Sequence, residues 1–215
     1  MKVNYVVSLG GACEVAYNLR RHFNFEMAFP FDWWITNLRG VIDALDPEND
    51  PYADLICSRV GSDVVSSNVH TKDNNIDIHH EFLGDWREQV GVARDRFQYL
   101  RTRLLTLNSA SSTILFVRHK GDATAAENPA TIDSLIDCVS NCFTQSSNKF
   151  LLLNTPKPKK MPENIIMRSV DHIDGQWREN QWTGNSTAWD AALDGFDLDN
   201  PTLPPFSSKI EWTGW

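Results

Sequence analysis

Apolar and polar positions divide this chain into short apolar runs separated by longer stretches with helical spacing. Tyr5, Val6, Val7 and Leu9 form a run that reads as a buried strand near residues 4–9. Gly10 and Gly11 break it, and Ala12 to Arg21 places Val15, Ala16 and Leu19 on one helical face. The longest helical pattern is Asp85–Asn108, where Trp86, Val90, Ala93, Phe97, Leu100, Leu104 and Leu107 recur at alternating spacings of four and three. Arg87, Arg94, Arg96, Arg101 and Arg103 lie off that stripe, which predicts one apolar face packed on a sheet. Thr113–Val117 predicts a second strand ending in Arg118, His119 and Lys120, and Asn128 with Pro129 starts a helix through Phe143. Lys149–Leu153 and Ile165–Val170 predict two more strands. Asn185 or Ser186 caps a last helix to Leu193.

Between these elements the pattern weakens. Glu26–Trp34 is an aromatic loop around Pro30, and Thr36 can cap a short helix over Leu38, Val41, Ile42 and Leu45 that Pro47 closes. Residues 46–84 read as a loop-rich insertion or lid with a small hairpin, its strand-like pieces at Asp63–Val65 and Ile76–Ile78. Residues 196–215 read as an irregular tail. Strands with near-continuous apolar runs alternating with helices predict a single α/β domain over 1–215. It has three layers and a mostly parallel central sheet, with a nucleophile-elbow-like turn after the first strand. Sites in such sheets lie beyond the carboxyl ends of the strands, which gathers Gly10–Cys13, Arg118–Lys120, Asn154–Thr155 and Asp171–His172 on one rim.

Composition excludes several classes. The formal charge of −8 argues against a nucleic-acid partner. Lys157, Lys159 and Lys160 are a solvated loop. No 18-residue apolar run exists, so no membrane span is expected, and the N-terminal run is too short for a signal peptide. Four cysteines without a CxxC pair predict neither a zinc site nor a disulfide framework and fit a reducing cytoplasm. Cys138 and Cys142, one helical turn apart, are expected to pack. No phosphate-binding glycine loop is present, and neither a cofactor nor a metal is expected. Eight tryptophans suit cores, and also flat walls for ring-bearing ligands.

The candidate chemistry centres on Cys13. It falls in the first turn of a helix springing from a strand, where unpaired N–H groups and the helix dipole favour a thiolate. Gly10 and Gly11 let the chain turn sharply and leave room for a substrate. A buried, inert cysteine is the competing reading. A thiolate nucleophile needs a base or cationic neighbour and donors for an oxyanion. His79, His80, His119 and His172 each follow or end a strand-like run. Arg118 could hold a thiolate or anionic substrate, or pair with a carboxylate.

SLGGACEVAYNLRR (Ser8–Arg21), FPFDWW (Phe29–Trp34), HHEF (His79–Phe82) and ILFVRH (Ile114–His119) occur in the order seen in a known family. By these blocks the chain resembles a bacterial family of unknown function described as papain-like cysteine peptidases, over about the first 120 residues. The resemblance implies Cys13 as nucleophile, His80 as the leading base with His79 as its alternative, and Asp32 as the group that orients the imidazole. Trp33, Trp34, Gly10, Gly11, Arg118 and His119 are then the expected substrate contacts. The predicted parallel sheet differs from papain's pairing of a helical domain with a β-barrel. It is closer to esterase-type hydrolases with a terminal Asp–His pair, for which Asp171–His172 or Asp190 are candidates.

Three functions remain open: a cysteine-dependent hydrolase or acyl transferase acting on a peptide, ester or glycan; a transferase of surface-polysaccharide assembly; and a non-catalytic binding module.

Overall fold

The protein is described here by a computed structural model, over residues 1–62, 65–78, 80–109, 111–120, 127–170 and 182–199. In chain order these form β1 (Lys2–Val3), β2 (Tyr5–Ser8), α1 (Cys13–Phe23), β3 (Ile35–Thr36), α2 (Leu38–Leu45), β4 (Leu55–Arg59), β5 (Asn68–Thr71) and β6 (Ile76–Ile78). They continue with α3 (Trp86–Leu105), β7 (Thr113–His119), α4 (Pro129–Cys142), β8 (Ser147–Leu153), β9 (Ile165–Arg168), α5 (Ser186–Leu193) and β10 (Asp197–Leu198).

The central sheet runs β2-β7-β8-β9, and all of its pairings are parallel. Its strands read as unbroken apolar runs because both faces are covered. Successive side chains alternate between faces. Tyr5, Val7, Ile114, Phe116, Phe150 and Leu152 enter one core with α2, α3 and α4. Val6, Leu115, Val117, Leu151 and Leu153 enter the other, with Val15 and Leu19 of α1 and Trp189 and Leu193 of α5. The mixed α/β fold with a mostly parallel sheet, predicted from the run lengths, is the one observed.

Most helix boundaries follow their capping chemistry. Asp85 caps α3 through the Arg87 N–H, and Asn185 caps α5 through Thr187 and Ala188. Asn128 and Thr131 form a reciprocal capping box at α4, with Pro129 in the first turn. The short α2 departs from expectation. Its cap is Asn37, which accepts from the Gly40 N–H, while Thr36 is the last residue of β3 and serves elsewhere.

The 46–84 region is more ordered than a loop-rich insertion. It supplies β4, β5 and β6, which join β3 in an antiparallel sheet of order β3-β6-β5-β4. Ile76–Ile78 is a strand as expected; residues 63 and 64 of the other predicted piece lie outside the described residues. The tail is not wholly irregular either, since β10 pairs in parallel with β1. No β-barrel forms among the described residues: the antiparallel sheet is open, with β4 as an edge.

Candidate functional site

The turn from β2 to α1 is built around two left-handed glycines, Gly10 at φ +75° and Gly11 at φ +108°. A Cβ on Gly10 would lie 2.1 Å from Thr36 Oγ1, so the backbone there needs both the conformation and the missing side chain. Thr36 Oγ1 accepts from the Gly11 N–H at 3.3 Å, and Ser8 Oγ accepts from the Gly10 N–H at 3.1 Å. The chain then enters α1 at Cys13. Ala12, the cap residue, provides no side-chain acceptor. The Ala12 side chain therefore caps no N–H of that turn, where Asn37, Asp85, Asn128 and Asn185 cap α2, α3, α4 and α5, and the Val15 N–H reaches Ala12 O at 3.2 Å. Cys13 is 7 % exposed.

Arg118 locks this turn from below. Its side chain projects to the α2/α4 side of the sheet and is fully buried. Nη1 donates to Leu9 O at 2.9 Å and Thr36 Oγ1 at 3.1 Å, and Nη2 donates to Thr36 O at 2.8 Å. Nε and Nη2 both reach Glu127 Oε1, forming an ion pair with no solvent exposure on the arginine side. Burial pulls its pKa down, and Glu127 opposes that shift. The expected anion-binding Arg118 is thus a buried brace between β2, β3 and the chain before α4.

His119, the next residue, points to the opposite face by strand alternation. It lies in the α1/α5 layer, its ring 5.5 Å from that of Trp189. Trp189 Nε1 donates to Glu14 Oε1 at 2.6 Å, so His119, Trp189 and the first turn of α1 are contiguous. Asn154 fixes the imidazole. Its Oδ1 accepts from the Val170 N–H at 3.0 Å, and its Nδ2 donates to Val170 O at 2.8 Å and to His119 Nε2 at 3.2 Å. The amide N–H of Asn154 thus meets His119 at Nε2, on the side of the ring facing Val170.

Asp32 is buried in the aromatic loop. Its Oδ2 accepts from the Phe29 N–H at 2.9 Å and pairs with Arg20 of α1. Burial pushes its carboxyl up to about 6, while Arg20 first and then the Phe29 N–H pull it down. Arg20 lies seven residues beyond Cys13, about 10 Å along the helix axis. Neither partner is an imidazole, so the carboxylate expected to orient a histidine instead pins the loop to α1.

His80 lines a pocket of about 240 Å³ together with Trp33, Trp34, Glu81, Phe97 and Trp182. It is exposed and follows β6 of the antiparallel sheet. The pocket abuts the Cys13 face of α1. Cys13, Tyr17 and Arg20 share one helical face by their spacing of four and three. Tyr17 meets Trp182 edge-on at 5.2 Å, and the Arg20 guanidinium sits over Trp33 at 5.2 Å.

The structure therefore groups the expected residues into two neighbouring sets. Gly10, Gly11, Cys13 and Arg118 form the turn; His80, Trp33 and Trp34 form the pocket; Asp32 and Arg20 lie between. His79, Asp171 and His172 lie outside the described residues, and Asp190 pairs with Arg21 and His22 on the surface. Sequence reasoning missed Thr36, Glu81 and Arg96. Glu81 stood within the HHEF block, and Arg96 lay off the α3 stripe. No helix among the described residues is long and apolar enough to cross a membrane, and no metal-holding cluster occurs among them.

A family model described as "Putative papain-like cysteine peptidase (DUF1796)" matches residues 4–154, which includes the turn, the aromatic loop, His80 and Arg118. No curated protein and no solved structure matches the chain.

Proposed function

The chain belongs to that family, described as putative papain-like cysteine peptidases, and from this premise we propose that it is a cysteine-dependent hydrolase or acyl transferase with Cys13 as nucleophile. The observation that carries the reading is Cys13 at the start of a helix without a side-chain cap, behind a two-glycine left-handed turn at the carboxyl end of a central strand. Helix-start N–H groups favour a thiolate and can receive the negative charge of a tetrahedral intermediate.

In this reading the Cys13 sulfur attacks the carbonyl carbon of an acyl substrate, and a histidine takes the thiol proton. The carbonyl oxygen becomes an oxyanion at the N-terminal N–H groups of α1. The intermediate collapses to a thioester as the histidine returns the proton to the leaving group. Water or an acceptor nucleophile then releases the acyl group. His80 is the favoured base, because it is exposed on a pocket whose walls contact the Cys13 face of α1. His119 is the second choice: it shares the α1 layer, but its Nε2 is engaged by Asn154. Arg118 and Asp32 act as positioning residues for the turn and the loop.

The test is the pH dependence of iodoacetamide alkylation, followed peptide by peptide. It requires a Cys142→Ser background, because the Cys138 thiol donates to Cys142 and holds it down at about 7, which makes it a competing thiolate. Cys13 is expected to alkylate at neutral pH faster than Cys57 and Cys138, with a midpoint below the roughly 8.5 of a free thiol. His80→Ala should raise that midpoint and His119→Ala should leave it in place. A Cys13 rate equal to that of Cys57 and indifferent to both substitutions would make Cys13 a packing residue and favour the binding-module reading.

A further inference from the structure

We infer that the aromatic pocket beside α1 binds the cationic end of an aliphatic amine or guanidine, with Glu81 as its counter-ion. The cysteine site would then select peptides carrying a basic side chain. The first statement stands on the pocket alone; the second rests on the hydrolase reading above.

Among the described residues, Glu81 is the pocket's one carboxylate. Its Oε2 accepts two hydrogen bonds, from Tyr52 O–H at 2.8 Å and Trp34 Nε1–H at 3.3 Å. Both donors belong to buried rings packed against Phe97: Trp34 stacks on it at 5.1 Å, and Tyr52 lies 6.0 Å away. The carboxylate is thus held on the pocket wall through one oxygen, by donors on rings that are buried and packed. A carboxylate in such a place is costly to keep charged unless a cation faces it. The groups present do not meet that cost. Burial raises its pKa by more than the Tyr52 and Trp34 hydrogen bonds and the Arg96 charge lower it.

The remaining walls select the shape and sign of the ligand. Phe29, Phe97 and Leu100 offer apolar surface for a hydrocarbon stem, and the indoles of Trp33 and Trp182 also line the cavity. Aromatic faces carry negative potential, attracting cations and repelling anions. One of these indoles already accepts a guanidinium, since Arg20 sits over Trp33 at 5.2 Å. Arg96 is the pocket's own cation, but its charge acts on Asp32 and Tyr52 as well as Glu81. The cavity of about 240 Å³ suits one long side chain with its head group. His80 on the same wall would place the general base within one residue of the specificity carboxylate.

Isothermal titration with n-butylguanidine tests the pocket, using the full chain, its Cys13→Ala variant and its Glu81→Gln variant. Glutamine keeps an acceptor for Tyr52 and Trp34, so the fold is retained, which thermal melting checks; Trp182→Ala, at a half-exposed ring, is the second variant. Hexan-1-ol, hexanoate and methyl glucoside are the comparison ligands. Butylguanidine is expected to bind wild type and Cys13→Ala equally. Glu81→Gln should weaken it at least tenfold while changing hexan-1-ol less than twofold, and Trp182→Ala should weaken both. The proposal is overturned if butylguanidine does not bind, or if Glu81→Gln leaves it unchanged. It is also overturned if hexanoate binds more tightly, which would make Arg96 the recognising charge, or if the glucoside does, which would make the site one for sugar rings. Because Cys13→Ala is assayed for binding alone, an unreactive Cys13 would overturn the hydrolase reading while leaving this result standing.

Discussion

Arg118 and Glu127 show how a single buried pair can govern a site without facing it. A fully desolvated guanidinium is costly, and this one is offset by Glu127 and by three acceptors on Leu9 and Thr36. Removing one partner strands the other charge in the interior. Arg118→Met is therefore expected to cost about 3–5 kcal/mol of unfolding free energy, since Glu127 is left buried and unpaired. The double variant Arg118→Met, Glu127→Met should recover a large part of that loss, although Leu9 O and Thr36 remain without their donor. Urea denaturation of the two single variants and the double gives the coupling. Additive losses would mean that the two side chains do not sense each other and that the brace is held by Leu9 and Thr36 alone.

At the scale of elements, the aromatic loop is fastened to α1 by one carboxylate whose pKa is raised in the folded state. The sign follows from proton counting. Between about 4, the unfolded value, and about 6, the folded one, the native protein binds more protons at Asp32 than the unfolded chain does. Stability contributed by this residue is therefore full below about pH 4 and falls as pH rises to about 6, by at most about 3 kcal/mol. Asp32→Asn should remove that decline: the difference in unfolding free energy between variant and wild type should shift in the variant's favour from pH 4 to pH 6 and then level off. A difference that stays flat over this range would mean that Arg20 and the Phe29 N–H fully offset the burial.

Neither this fastening nor the pocket could be read from spacing. The parallel strands and capped helices were legible because their signals are local: runs of apolar residues, a glycine pair, and Asn or Asp ahead of an apolar period. The position of Cys13 was legible for the same reason, as the second residue after the glycine pair and the first of the helix. The antiparallel sheet was not. In β4 and β5 (Leu-Ile-Cys-Ser-Arg and Asn-Val-His-Thr) few side chains are buried, so the alternation that marks a half-buried strand is faint. The opposite facing of Arg118 and His119 follows from strand alternation. Their separate tasks depend on Thr36, Glu127 and Asn154, which are distant in sequence.

For the whole molecule, the consequential fact is that the two halves of the proposed dyad stand on different sheets, one of which has an exposed edge strand. Cys13 springs from β2 of the parallel sheet, where β7 and β8 are buried on both faces. His80 follows β6 of the antiparallel sheet, whose edge strand β4 is largely exposed, Ile56 included. Backbone hydrogen bonds with little apolar cover open locally at less cost than those in a two-sided core. Native-state hydrogen exchange should therefore separate two classes of amide. Those of Leu115–Val117 and Phe150–Leu152 should exchange only by global unfolding, with a steep dependence on denaturant. Those of Ile56–Arg59, on the exposed edge strand, should exchange through a smaller opening with a shallow dependence that merges with the first class only near the unfolding midpoint. Such an opening would leave the nucleophile's turn intact, since Arg118 ties it to β7 through Leu9 O, and would leave β6 beneath His80 held by the core that Ile76 and Ile78 enter. Identical exchange free energies and slopes in both groups would show instead that the two sheets unfold as one unit and that the dyad's geometry is fixed by the fold as a whole.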